Sequence, residues 1–276
     1  MKKPFKLPPP AIFLVFCLIL TLSGCNAISE GIEDGIDSLS QVFCWHEWEG
    51  PTYEMPKTCT KCGKTEGAPY TLETRFPAGE SRVGENSFTF TQDDFEHLFD
   101  DAFFYVNLGV NFSIVPGGIV RANDKVTQSY NVLTDYELTD VSLDIALNAD
   151  GFVTGISVTG PFSDDYRDDD YMVCVEAMYA AIYVSDASFS DGSIPVELVS
   201  ASIKDNIFME LLRDLQESAQ ESEDKIVAFH KQNDLSFTLT ANSNFSKYSN
   251  NQVTLTIKPL ALENADEDSH ANTANS

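Results

Sequence analysis

Two periodicities alternate along residues 87–260 of the chain. Phe95, Leu98, Phe99, Ala102 and Phe103 recur at i, i+3, i+4, i+7 and i+8, the apolar stripe of an amphipathic helix. Thr91 followed three residues later by Asp94 has the form of a capping box at its start, and Asn107-Leu108-Gly109 reads as its end. The pattern then shortens to that of strands over Asn111 to Val115, Val126 to Leu133 and Tyr136 to Leu147. Asn148-Ala149-Asp150-Gly151 is a turn that leads into a further strand, Phe152 to Thr159, and so predicts a hairpin. A second helix opens in the acidic run Asp164 to Asp170, which suits the positive end of a helix dipole, and continues through Val184. A third starts at Pro195 and reaches Leu215 or somewhat beyond. Strands over Ile226 to Phe229, Leu235 to Ala241 and Val253 to Ile257 complete the pattern, with an Asn/Ser-rich loop over Asn242 to Gln252 between the last two. Helix, antiparallel meander, two helices and a final hairpin make an α+β domain, because the strands are joined locally and not by crossovers.

The first residues read as an export signal. Lys2, Lys3 and Lys6 are followed by the apolar run Ala11 to Leu20, about ten residues and too short to span a bilayer, which takes about 20. Leu22-Ser23-Gly24-Cys25 resembles the lipobox of bacterial lipoproteins. That resemblance implies cleavage before Cys25, acylation of its thiol, and a protein held by lipid on the extracytoplasmic face of the cell membrane. At least two acyl chains are then expected, which anchor stably where one does not. Residues 25–42 form the expected tether, in which Ile28, Ile32, Ile36 and Leu39 recur at helical spacing while Gly31 and Gly35 weaken the helix. Residues 68–86, rich in proline, glycine and charge, read as a linker, and residues 261–276 as a polar, disordered tail.

Cysteine usage separates residues 43–67 from everything else. Cys44-Trp45-His46-Glu47-Trp48 is followed by Cys59-Thr60-Lys61-Cys62-Gly63, a C-x-H-x12-C-x2-C-G pattern. Cys44, His46, Cys59 and Cys62 supply three thiolates and one imidazole, a closed four-ligand set for a structural zinc ion. Gly63 tolerates the positive φ that a metal knuckle needs after its second cysteine. For so short a module with few large aliphatics, metal binding would supply the folding energy that a core cannot. Two other readings stay open: a disulfide, Cys59–Cys62 or Cys44–Cys59, in an oxidising compartment, and a redox pair, although the βαβ context of a thioredoxin-like site is missing. Trp45 and Trp48 are expected to pack over the knuckle. The stretch resembles a short cysteine-rich repeat of Gram-positive surface proteins at Cys44, His46, Trp48, Pro56, Thr58, Cys59, Cys62, Gly63 and Gly67. It departs from it at Tyr53, where the repeat often carries another cysteine. The body, by element order alone, resembles uncharacterised domains of such lipoproteins; a cystatin-like or NTF2-like sheet curled over helices is one shape that the order suggests.

Charge narrows the partners. The chain carries 43 acidic and 17 basic residues, for a net charge of −26, and loss of the three leader lysines makes it more acidic still. Such a surface repels nucleic acid and anionic headgroups. Asp164 to Asp170 lacks the central glycine and terminal glutamate of a calcium loop and reads as a solvated helix start. His97 and His230 read as surface residues on a helix and a strand, His270 falls in the tail, and Cys174 reads as an inert core thiol. No nucleophile elbow, P-loop or zinc-protease helix is present. The sequence therefore favours a non-enzymatic surface lipoprotein that binds an envelope or extracellular protein or ligand. The alternatives are an envelope hydrolase with its site in residues 87–260, and a metal-homeostasis or redox component that uses the Cys/His cluster.

Overall fold

A computed structural model describes residues 44–106, 108–122, 125–134, 137–162, 169–218, 226–241 and 251–261. The leader, Cys25, the tether, the run Asp164–Asp168 and the tail beyond residue 261 lie outside the described residues, as does the helix expected over Ile28 to Leu39. The chain divides into two compact units, residues 1–75 and 76–276. No helix among the described residues is long and apolar enough to cross a membrane.

The first unit is a three-stranded antiparallel sheet of very short strands: β1 (Trp48–Glu49), β2 (Lys57–Cys59) and β3 (Thr65–Glu66), in that order. A single turn of helix, α1 (Leu72–Arg75), follows. Tyr70 ties the end of the unit to its middle: its N–H donates to the Thr52 carbonyl at 2.8 Å, and its ring meets Tyr53 edge-on at 6.1 Å. At the place where the surface repeat often has a cysteine, this chain has an aromatic contact instead.

The second unit is α+β, as the sequence predicts. It opens with α2 (Gln92–Val106), then four antiparallel strands, β4 (Phe112–Ala122), β5 (Lys125–Thr134), β6 (Glu137–Leu147) and β7 (Val153–Phe162). Next come α3 (Asp169–Ser185) and a long helical segment built from α4 (Val199–Ile203), a π-helical turn at Lys204–Phe208 and α5 (Met209–Ser218). Three strands close the unit: β8 (Ile226–Gln232), β9 (Leu235–Ala241) and β10 (Asn251–Pro259). All seven strands form one antiparallel sheet in the order β4-β5-β6-β7-β10-β9-β8. The final hairpin thus does not extend the sheet with its first strand. Its last strand, β10, docks on β7, so that residues 95 positions apart, Thr159 and Thr254, become neighbours.

The capping box forms as read: the Thr91 N–H donates to Asp94 Oδ2 at 3.0 Å, and the Asp94 N–H donates to Thr91 Oγ1 at 3.3 Å. The stripe of α2 is buried at Phe95, Leu98, Phe99 and Ala102, while Phe103 turns sideways and meets Phe112 of β4 edge-on at 4.9 Å. Phe88, Phe90, Phe95 and Phe99 form a continuous aromatic stack, with Phe95 reaching Tyr130 of β5. The expected turn also forms: Asn148 Oδ1 accepts from the N–H groups of Asp150 and Phe152 at 3.0 and 2.9 Å, and Gly151 takes φ +82°.

α3 lies centrally over the sheet, against β6, β7 and β10, with α2 and α4 beside it. It is therefore apolar nearly all round, with Val173, Cys174, Ala177, Met178, Ala181 and Ile182 all fully buried. The approach is close at Gly160 of β7: a Cβ built there would lie 2.7 Å from the Cys174 sulfur and 3.1 Å from Val141. Cys174 is the inert thiol that the sequence suggests, buried and with its pKa pushed up to about 12 by that burial.

The opposite face of the sheet is paved with small hydroxyl side chains. Register aligns Ser129, Asp144, Ser157, Thr256 and Thr238 in one cross-strand row, and Asn131, Ser142, Thr159, Thr254 and Thr240 in the next. Ser157 bonds Thr256 at 3.2 Å and Thr159 bonds Thr254 at 2.9 Å across the β7–β10 seam. Such pairs stabilise a sheet by roughly 0.2–1 kcal/mol each.

The segment read as a linker is divided between the units, and its second half is structural. Arg82 is buried, and its guanidinium donates to the carbonyls of Tyr183 and Val184 at 3.1 and 3.0 Å and to Ser190 Oγ at 2.8 Å. A cation thus satisfies the orphan carbonyls at the negative end of α3. Val83 and Phe88 close a small bridge beside it.

One buried acid stands out. Glu176 of α3 is fully inaccessible, and neither carboxylate oxygen completes a hydrogen bond. Burial raises its pKa to about 7, against the opposing pull of the Leu108 and Val110 amides. A folded-state value above the unfolded one means that the fold prefers the protonated acid. The stability from this group is complete below about pH 4.5 and is lost as pH rises through about 7. Glu176→Gln, neutral throughout, should therefore gain on the native protein between pH 5 and pH 8 by on the order of 3 kcal/mol in urea melts. A stability difference that stays constant over that range would show that Glu176 titrates as it does in water.

Candidate metal centre

Sequence places the four candidate ligands in two pairs, and the small sheet brings them together. β1 and β2 pair with Trp48 opposite Cys59 and Glu49 opposite Thr58, which carries the strand after Cys44 and His46 alongside the Cys59–Cys62 turn. That turn is closed from both sides: the Gly63 N–H donates to the Cys59 carbonyl at 2.9 Å, and the Cys59 N–H donates to the Lys64 carbonyl at 2.8 Å. Gly63 adopts φ +69°, the left-handed conformation expected of it. The Thr60 N–H donates to the Glu47 carbonyl at 2.9 Å, and Lys61 forms an ion pair with the Glu47 carboxylate, so both halves of the ligand set are clamped together.

One ligand atom from each of Cys44, His46, Cys59 and Cys62 lies within 4.8 Å of every other. The Cys44 and Cys59 sulfurs are 3.9 Å apart, and Cys62 Sγ is 3.4 Å from His46 Nδ1. A tetrahedron with metal–sulfur bonds of about 2.3 Å and a metal–nitrogen bond of about 2.0–2.1 Å has edges of about 3.6–3.8 Å. The Cys44–Cys59 and Cys62–His46 separations fall close to those edges, and all four donors are near enough to one another to share a single cation. Nδ1 is the imidazole atom turned toward the cluster. All four cysteines of the described residues are free thiols.

The surroundings favour a bound cation. Burial, then the adjacent Cys62 and Cys59 sulfurs, push the Cys44 thiol up to about 12. Burial acts in the same upward direction on Cys59, but the His46 ring and the Lys61 and Cys62 amides outweigh it and bring that thiol down to about 6. Cys59 is thus the thiol most inclined to ionise, and its charge opposes deprotonation of Cys44. Cys59 is buried, and the other three ligands are half-buried.

The two tryptophans part company. Trp48 packs as expected, its ring 4.9 Å from that of His46 and capped by the Lys57 ammonium at 5.1 Å. Trp45 does not pack over the knuckle; it is 91% exposed. The reason lies in the spacing: His46 and Trp48 share one side of the extended segment, and Trp45 points to the other.

Other candidate residues are dispersed. His97 lies on α2 near Asp100. His230 is not a simple strand-surface residue: it faces α5, where Nδ1 meets Glu210 Oε2 at 2.9 Å, and its Nε2 is buried without a hydrogen bond. A cavity of about 290 Å³ lies between the end of α3, the β8–β9 turn and residues 79–83. Among the described residues, no histidine or cysteine lines it. Its two buried charges are already used in joining elements: Arg82 caps α3, and Asp186 accepts from the Ser188 N–H and from the Gln232 and Asn233 amide groups.

No protein-family model, curated protein or solved structure matches this chain significantly.

Deprotonation of the raised Cys44 thiol must accompany cation binding, so affinity should fall steadily as pH is lowered. Calorimetric titrations with zinc in buffers of different ionisation enthalpy should show protons released to the buffer. Binding without proton release would mean that the thiols are not the ligands.

Proposed function

We propose that the chain is a membrane-anchored surface lipoprotein in which a structural zinc knuckle precedes a non-enzymatic binding domain. The observation that carries the metal assignment is the convergence of one donor atom each from Cys44, His46, Cys59 and Cys62 within 4.8 Å of one another. Three soft thiolates and an imidazole select zinc among common divalent ions, and four protein ligands leave no open position for substrate. The role that follows is structural: strands of two or three residues cannot hold together by their own hydrogen bonds and core, so the ion supplies the folding energy of the unit. The lipobox-like Leu22-Ser23-Gly24-Cys25 supports attachment through acylated Cys25, on the extracytoplasmic face of the cell membrane. Arg82 and Asp186 beside the cavity are spent on capping and clasping, and the buried Glu176 does not line that cavity, which supports a binding role over a hydrolytic one. Its strong negative charge supports a protein or small-ligand partner over nucleic acid.

The deciding measurement is a native mass spectrum, with metal analysis, of the chain from Asn26 onward. One zinc, lost on acidification to leave four alkylatable thiols, is the expected result; no zinc and the mass deficit of a disulfide would overturn it. Cys59→Ser should unfold residues 44–67 and leave the body's cooperative melt intact, read by near-UV circular dichroism of Trp48 against the main thermal transition. In cells, Cys25→Ser should move the full chain from the detergent-rich to the aqueous phase on detergent partitioning; retention in the detergent phase would remove the lipid anchor from the proposal.

A further inference from the structure

We propose that β4 is a self-association edge, through which two copies of this chain join antiparallel along Ile119–Ala122. The sheet order leaves two edges, β4 and β8. They are treated differently. β8 is seven residues long, packs one face against α5, and exposes only Phe229 and Lys231 on the other. β4 is eleven residues long, and everything from Val115 to Ala122 is exposed. A long edge with unpaired N–H and C=O groups is a template for another strand. Three apolar residues stand on it in solvent, Val115, Ile119 and Val120, at 39%, 56% and 59% exposure.

The register shows which part is usable. Pro116 lacks an N–H, and the pairing with β5 shifts between Pro116 and Ile119, so the strand bends there and cannot continue a ladder. Beyond the bulge, Ile119 sits opposite Gln128 and Val120 opposite Thr127, in regular pairing. Their side chains alternate between the two faces of the sheet, so a strand added here would bury one apolar side chain on each face.

Charge identifies the occupant as a second copy. Copies with a net charge of −26 repel one another and can meet only where acids are missing. From Ala102 to Thr134 the chain has a single acid, Asp124, against two cations, Arg121 and Lys125. A basic partner would be steered to the acidic surfaces and away from this edge. An identical strand is self-complementary in the antiparallel sense, about a two-fold axis.

The test is sedimentation equilibrium of residues 26–276, which retain every described residue, over a concentration series reaching roughly 100 μM. A dimer is expected that tightens as salt rises from about 0.05 to 0.5 M, because salt screens the repulsion of the acidic bodies. Ile119→Lys with Val120→Lys should weaken it at least about ten-fold, and Val120→Thr, which keeps strand propensity, by less. Val196→Lys with Leu198→Lys, at exposed apolar positions elsewhere, should leave it unchanged. Circular dichroism and thermal melts confirm that each variant is folded. A native protein that stays monomeric at every salt concentration, or a dimer that survives both β4 variants, overturns the proposal.

Discussion

The body depends on how closely α3 can approach β7. A helix laid across the middle of a seven-stranded sheet must be apolar on its lower face and compact on its flanks, because α2 and α4 share its sides. Gly160 removes the one Cβ that would strike Cys174, and Ala177, Ala180 and Ala181 keep the helix thin. Raising α3 by the width of a methyl group would loosen its packing on β6, β7 and β10 together, since interiors this dense do not absorb extra volume locally. The same depth explains the strained ionisation of Glu176, which projects from this helix where only backbone amides are at hand.

The knuckle is governed by a different economy. Its strands run for two or three residues, and Cys59 is its most deeply buried side chain. Hydrogen bonds across the Cys59–Lys64 turn and the Glu47–Lys61 ion pair shape the cradle that brings the Cys44 and Cys59 sulfurs to 3.9 Å from each other. The unit has little core of its own, whereas the body has an aromatic and aliphatic one.

Local features of both units were legible in the sequence because a few adjacent residues determine them. The Thr91–Asp94 capping box, the stripe of α2, the Asn148–Gly151 turn and the positive φ of Gly63 each follow from spacing alone. The clustering of Cys44, His46, Cys59 and Cys62 was legible for the same reason: the chemistry of these residue types restricts what such spacing can do. The features that no local pattern carries depend on distant partners. Arg82 is 101 residues from Tyr183, and its arginine and the surrounding polar composition read as linker. The docking of β10 on β7 is decided by a helix-covered apolar row that both strands share, and no local signal ranks β7 above β4 as its neighbour. Likewise, the pairing of His230 with Glu210 needs α5 to be laid on β8 before it can be seen.

The guanidinium of Arg82 has a mechanical meaning as well as a structural one. It sits near the point where the chain enters the body, and its three acceptors belong to the end of α3 and the turn that follows. A pull applied to the chain before Phe76 meets this clasp before it reaches any strand of the sheet. Load passes from the arginine into the body's most buried helix, and several charge-assisted bonds must break at once. Unzipping the sheet from one edge would break them one at a time. A protein tugged from its N-terminal side would thus load Arg82 and the end of α3 together before the sheet.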